Sequence, residues 1–225
     1  MQGVAVFDRL AGAYDEWFDR HPALYRAEVE TLRPLLPKGG VGVEIGAGSG
    51  RFGLLLGAAL GIEPSRPMAK LAHGRGLPTV QAVGEHLPLP DGRFDFALLV
   101  TVICFVADVP ALLRETRRIL KPGGRIVIGL IDLDTPLGRL YALRRDADPF
   151  YRHARFYTAG AVIAMLAQAG FRAPIVYQAL IGLPGETPQD DIAVRPGYGA
   201  GGFVGIGANR SSNHRACENG SPGLY

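Results

Sequence analysis

Lysine is nearly missing from this chain. Of 24 basic residues only Lys38, Lys70 and Lys121 are lysines, and the arginines are scattered rather than gathered into a stripe. A nucleic-acid groove needs clustered positive charge, so the net charge of +3 reads as solvated surface, and no nucleic-acid partner is expected. Cysteine is scarce as well. Cys104 lies in an apolar run and Cys217 in a polar stretch, with no disulfide framework and no zinc-ligand spacing. That pattern points to a reducing, cytoplasmic compartment and to no metal site. Long apolar runs are also lacking. The longest, residues 96–107, contains Thr101 and is too short for a bilayer, so no membrane span is expected. Residues 1–18 do not show the basic-then-apolar order of a signal peptide. The oligomeric state has no signature in the sequence.

Glycine, by contrast, is abundant, with 31 residues, and 48% of the 225 residues are hydrophobic. That suffices for one sizeable core. The densest glycine cluster is VGVEIGAGSGRFG at residues 41–53. Val41, Val43 and Ile45 suit a buried parallel strand. Gly46, Gly48 and Gly50 alternate with small residues, and the apolar stretch 51–60 reads as a helix. A glycine turn between strand and helix lets backbone approach a ligand closely and aims free helix N–H groups at it. Glu44 stands at the carboxyl end of the strand, the edge where open α/β sheets bind ligands. The pattern fits a dinucleotide site or another nucleoside site. Glu63 follows Glu44 by 19 positions and again ends a strand, at 58–62. An acidic residue at that spacing is placed to accept hydrogen bonds from both ribose hydroxyls.

Along the chain, residues 4–19 and 23–36 read as amphipathic helices, and both are expected to cap the ligand edge, with Tyr14 and Tyr25 possible pocket residues. Further strands are expected at 79–83, 94–100 and 125–131, with helices at 66–73 and 109–120, the latter capped by Asp108. This alternation argues for a parallel sheet with helices on both faces. Residues 132–157 leave a strand carboxyl end, are broken by Pro136 and Pro149, and hold Phe150, Tyr151, Phe156 and Tyr157. They are expected to form a lid. A helix at 158–169, a strand at 171–180, a loop at 182–198 and a strand at 202–207 complete the domain. Two strands without an intervening helix imply an antiparallel hairpin at the sheet edge. The domain is set at 1–208, with 209–225 a polar, disordered tail.

VEIGAGSG, the strand-end Glu63, LPLPDGRFD, the Asp108 helix and LKPGG before a strand occur here in that order. Together they resemble the class I S-adenosylmethionine-dependent methyltransferases. Within that group they are similar to the methyltransferase type 11 families of ubiquinone and menaquinone biosynthesis, whose FD..A..YD.WF start reads here Phe7-Asp8, Ala11, Tyr14-Asp15 and Trp17-Phe18. The resemblance implies a Rossmann-like α/β three-layer sandwich. Its seven-stranded, mostly parallel sheet has the order 3-2-1-4-5-7-6, with strand 7 antiparallel. It implies S-adenosyl-L-methionine as cofactor. Gly46, Ala47, Gly48, Ser49 and Gly50 would cradle its methionine and ribose part. Glu44 would hold the turn and Glu63 the ribose. Pro64, Ser65 and Met68 would flank the adenine, with Gly84 and Glu85 at its edge. Thr101 and Val102 would lie near the sulfonium.

Two departures bear on this carry-over. Val83 stands where many relatives place an aspartate for the adenine amino group, and Cys104 where many place a histidine. For the acceptor, the resemblance implies methyl transfer by in-line displacement to a small molecule. An RNA or protein methyltransferase and a non-catalytic S-adenosylmethionine-binding protein are the alternatives. His153, Tyr151 and Tyr14, with Asp132, are the candidates for a base or an acceptor contact.

Overall fold

The computed structural model describes residues 4–183 and 192–211. Two helices, α1 (Val4–Arg20) and α2 (Pro22–Leu32), open the chain, the second running into a 3-10 turn at Arg33–Leu35. Then come β1 (Gly42–Ile45), α3 (Arg51–Leu55), β2 (Ala58–Ile62), α4 (Arg66–Arg75), β3 (Thr79–Val80), β4 (Phe94–Val100), α5 (Val109–Ile119) and β5 (Leu120–Ile131). The remainder is α6 (Pro136–Arg144), α7 (Ala159–Gln168), β6 (Phe171–Ala179), β7 (Val194–Pro196) and β8 (Phe203–Arg210). All strands join one sheet in the order β3-β2-β1-β4-β5-β8-β6-β7. β1 to β5 run parallel, and β8 is antiparallel to both β5 and β6.

Setting β7 aside, this is the expected seven-strand order with the last strand inserted antiparallel. β7 is a correction: it lies in the stretch expected to be a loop and pairs with Tyr177–Ala179 of β6. As it pairs with β6 alone, the missing N–H of Pro196 costs no ladder bond.

The central strands are covered on both faces. Every residue of β1 is buried. On β4, Ala97 and Leu99 join a core with Leu112 and Leu113 of α5 and Val162 and Leu166 of α7, while Leu98 and Val100 join a core with Leu32 of α2 and Phe52 of α3. Gly42 has to be glycine for steric reasons, since a Cβ there would meet the Phe96 ring at 2.0 Å. Helix starts follow their caps. The Asp108 carboxylate accepts from the Ala111 N–H at 2.9 Å, and the Thr158 hydroxyl accepts from the Ala161 N–H at 3.1 Å.

Several expected boundaries move. α3 ends at Leu55 because residues 58–62 pair with β1 instead of extending the helix. β5 begins at Leu120, pairing with Phe94, and resumes at Arg125, pairing with Phe96, so residues 121–124 bulge out of a strand rather than simply stopping a helix. β3 is shorter than expected and ends at Val80. Of the two helices expected to form a cap, only α1 does so. α2 belongs to the helix layer, where Leu32 is fully buried against the sheet. Gly205 and Gly207 of β8 allow this close approach: a Cβ on Gly205 would meet Leu35 at 2.9 Å, and one on Gly207 would meet Leu35 at 3.2 Å. The segment expected to be an irregular lid contains α6. Asn209 and Arg210, assigned to the tail, pair with β5 and β6 as the end of β8. Residues 212–225 lie outside the described residues.

Candidate functional site

β1 delivers the glycine turn to the carboxyl edge of the sheet. There Gly46, Gly48 and Gly50 take positive φ values of 72°, 53° and 80°, which an L side chain adopts only with strain. Gly46 is also confined, since a Cβ on it would meet Val102 at 2.4 Å. Beside the turn, Glu63 at the end of β2 is buried. Its Oε2 accepts from the Gly48 N–H and its Oε1 from the Ser65 N–H, each at 2.8 Å. Burial lifts its carboxyl to about 6 against the pull of those two donors. Each carboxylate oxygen has a further lone pair, so two acceptor positions remain.

These residues form one wall of a cavity of about 330 Å³. Of the thirteen residues expected to hold a cofactor, Gly46, Gly48, Glu63, Pro64, Met68, Gly84, Glu85 and Thr101 line it. Val83 and Val102 line it too. The other five act behind the wall. Glu44 is buried and accepts from the Gly53 N–H at 3.0 Å, fixing the start of α3, and burial drives its carboxyl well above the ordinary carboxylate range. Ala47 packs with Ala58, Ala72 and Leu77. Gly50 caps α3, with Ala72 close behind it. Ser65 caps α4. Ser49 donates to Asp15 of α1 at 2.5 Å.

The Ser49 contact belongs to a clasp that sequence reading missed. Arg51 Nε and Nη2 donate to the Asp15 carboxylate at 2.7 and 3.1 Å, and both Nη atoms donate to Asp19 at 2.7 Å. Arg75 from α4 donates to Asp15 at 2.8 Å and also to the Ser49 carbonyl. Burial opposes ionisation of Asp15, yet hydrogen bonds from Arg51, Ser49 and Arg75 hold it down at about 2. Two arginines from separate helices thus lock α1 onto the glycine turn.

Aromatic rings roof the cavity. Phe7 of α1 lies 5.4 Å from Tyr14, 5.2 Å from Phe105 and 5.8 Å from Phe150, and Tyr14 lies 5.5 Å from Phe150. The segment after α6 lies against these rings, places His153 and Arg155 on the cavity wall, and is tied down by the Arg155 N–H on the Cys104 carbonyl at 2.7 Å. Among the base candidates, Tyr14 and His153 line the cavity. Tyr151 lines a small adjoining crevice with Thr101 and Cys104. Burial raises the Tyr14 and Tyr151 phenols far above the usual range, so neither ionises near neutral pH. Asp132 is removed from the candidates: its Oδ1 accepts from Asp134 and Ala159 N–H groups at 3.2 and 3.1 Å, bracing the start of α7.

Thr101, where β4 enters the cavity, holds φ at 54°, unusual for a β-branched residue. Its N–H bonds the Gly129 carbonyl at 2.8 Å and its own carbonyl accepts from Cys104 Sγ at 3.2 Å. Strain of this kind gathers at functional sites. Cys104 itself is a packing residue, its thiol pushed by burial up to about 12. Iodoacetamide at pH 8 should therefore alkylate Cys104 about a hundredfold more slowly in the folded protein than in denaturant, as read by peptide mass spectrometry. Comparable rates would show an open, reactive thiol.

The chain has clear relatives. A family model described as a methyltransferase domain matches residues 17–174. A crystal structure of an S-adenosylmethionine-dependent methyltransferase from Thermotoga maritima, described as a possible histamine N-methyltransferase, superposes with a TM-score of 0.88. It is 40% identical, and the match covers 93% of this chain and 100% of that one. An uncharacterized protein of Methanocaldococcus jannaschii is 40% identical over 91% of this chain and 98% of its own length. A malonyl-[acyl-carrier protein] O-methyltransferase of Geobacter sulfurreducens is 30% identical over 78% and 69%. With a glycine turn, a strand-end acid and this sheet order already in place, the chain belongs to the class I S-adenosylmethionine-dependent methyltransferases.

Proposed function

We propose that this methyltransferase acts on a small-molecule acceptor held under the aromatic roof. The observation that carries this reading is the closure of the cavity: α1 is clasped to the glycine turn, and its Phe7 and Tyr14 meet Phe150 of the lid. A roof of this kind suits a ligand that is enclosed. The Thermotoga relative, described by a small amine acceptor, supports the same class.

The residues present fit the cofactor. Gly46 and Gly48 offer bare backbone where side chains would intrude, and the spare lone pairs of Glu63 match a ribose diol. Pro64, Met68, Val83 and Gly84 supply the apolar walls an adenine ring needs, and Glu85 the polar edge. S-adenosylmethionine, when bound, supplies a methyl carbon on a positively charged sulfur with a neutral thioether as leaving group. This chain's residues align the two reactants and exclude water. Such positioning is worth about 7–11 kcal/mol of barrier. With Tyr14 and Tyr151 held protonated, a base is drawn in only for acceptors that must lose a proton, and His153 on the cavity wall is then the group in place.

The test supplies S-adenosylmethionine with a panel of small amines, phenols and carbon acids, and in parallel with bulk tRNA and denatured protein. Formation of S-adenosylhomocysteine is followed by mass spectrometry. Turnover is expected with a small acceptor. Turnover confined to tRNA or protein would replace this reading.

A further inference from the structure

The fold gathers positive charge that the sequence spreads. At the amino ends of β4 and β5 the Arg93 N–H bonds the Ile119 carbonyl and Phe94 pairs with Leu120. Beside them the surface opens into a cleft of about 550 Å³. Arg114, Arg117 and Arg118 of α5 line it together with Arg210 of β8, which stands 92 positions beyond Arg118. The cofactor cavity takes Val100 and Thr101 at the other end of β4, so the two spaces lie on opposite edges of the sheet. Among the described residues, the lining of the cleft holds one carboxylate, Asp91, and no aromatic ring.

The acids here are committed to one arginine. Asp91 accepts from Arg118 Nη1 at 2.6 Å, and Glu115 accepts from Arg118 Nε and Nη2 at 2.8 Å each. Arg114 is exposed on α5 and makes no hydrogen bond or ion pair among the described residues. Arg210 gives Nη1 to the Arg118 and Leu120 carbonyls, while its Nε is buried with no hydrogen-bond partner among the described residues. The backbone brings Arg117 up beside it. Arg117 lies against Gly170, where a Cβ would meet its Nε at 2.9 Å, and the N–H and hydroxyl of Ser211, next to Arg210, both bond the Gly170 carbonyl. Burial first, and the Arg117 charge second, hold the Arg210 guanidinium below its ordinary value.

Helix ends account for only part of this gathering. α5 and α7 both finish at the cleft, and a cation in the last turn of a helix is favourable. Arg210 alone meets the Arg118 and Leu120 carbonyls, and Arg114 stands more than a turn before the end of α5, where that effect has faded. Side chains three and four positions apart on one helix face are neighbours, about 5–6 Å apart at Cβ. Guanidinium forks at that spacing grip phosphate oxygens in pairs. With Arg210 beside them, the array matches an anion of more than one phosphoryl group. We propose that this cleft binds a small phosphoanion of diphosphate size, at a site separate from the cofactor cavity. A nucleic-acid strand fits less well, because its bases call for aromatic platforms and none lines the cleft.

The probe is sodium diphosphate, titrated by calorimetry into the protein at constant ionic strength, with a short single-stranded RNA run in parallel. Diphosphate should bind with the same affinity in the presence and absence of S-adenosylhomocysteine. Arg114→Gln, which disturbs no hydrogen bond of the fold, should weaken it about threefold, and Arg210→Gln about tenfold. S-adenosylhomocysteine affinity should be unchanged in both variants. If Arg210→Gln fails to fold for want of its bond to the Leu120 carbonyl, Arg114→Gln carries the test alone. No diphosphate binding at millimolar concentrations would overturn the proposal, as would undiminished binding in Arg114→Gln. Displacement of diphosphate by S-adenosylhomocysteine would overturn it too, by placing the anion in the cofactor cavity. Tighter binding of the RNA than of diphosphate, weakened by the same substitutions, would replace it with a nucleic-acid surface.

Discussion

Glu63→Ala should lower the affinity for S-adenosylmethionine about a hundredfold, read by calorimetry on the wild type and the variant. Two effects combine in that loss. A carboxylate accepting from a ribose diol makes charge-assisted hydrogen bonds, worth about 1.5–3 kcal/mol each. The same carboxylate also holds the Gly48 and Ser65 N–H groups, so its loss loosens the turn that must stay in place. A hundredfold is about 2.7 kcal/mol, within that range. Glu63→Gln separates the two contributions, because an amide can keep one backbone donor but cannot accept at both oxygens. The pH profile follows from the raised carboxyl. With Glu63 at about 6 in the free protein, affinity should be level above that value and fall as pH drops through it, because protonation removes an acceptor. Unchanged affinity in Glu63→Ala would remove this residue from the cofactor site.

Asp15→Ala should be the most damaging change on the roof. The carboxylate is the shared acceptor for Ser49, Arg51 and Arg75, and its side chain is only 16% exposed. Its loss leaves the Nε of Arg51, a side chain only 14% exposed, without a partner, although both Nη atoms keep Asp19. Breaking a half-buried network of this kind costs about 2–3 kcal/mol, which for a chain of this size lowers the melting temperature by about 4–10 °C. Asp15 has a depressed pKa, so its contribution is complete above the ordinary carboxylate value near 3.8. That contribution is lost as pH falls towards about 2. Wild type and variant should therefore converge in stability in strong acid. Cofactor affinity should fall too, because the clasp positions Ser49 and Gly50 from outside the cavity. A melting temperature within a degree of the wild type would show α1 to be held by its rings alone.

The parts legible in the sequence were those written locally. The glycine turn, Glu63 and the caps Asp108 and Thr158 depend on neighbours a few positions away or on a fixed strand-to-strand interval, so spacing carries their meaning. Asp15 read as one more acid on the polar face of an amphipathic helix. Its partners Arg51 and Arg75 stand 36 and 60 positions further on, and nothing in linear order couples them. β7 was hidden because a three-residue edge strand ending in proline has neither the length nor the alternation that marks a strand. The assignment of α2 to the helix layer was hidden for another reason. Only the bare faces of Gly205 and Gly207 show that a helix presses there, and those residues lie at the far end of the chain.

Phe7 has a wider significance than its place in the roof suggests. Helix α1 loses its regular backbone at Leu10, so the turns before that point are not carried rigidly by the part that Asp15 anchors. Beside the buried Val6, those turns are held by one ring, Phe7, shared among α1, the segment after β4 and the lid. A keystone of this kind cannot be withdrawn from one of its neighbours and kept by the others. Phe7→Ala should therefore loosen all three segments together, seen as faster hydrogen exchange in α1, in the segment after β4 and in the lid at once; a change confined to α1 would show the three to be held separately.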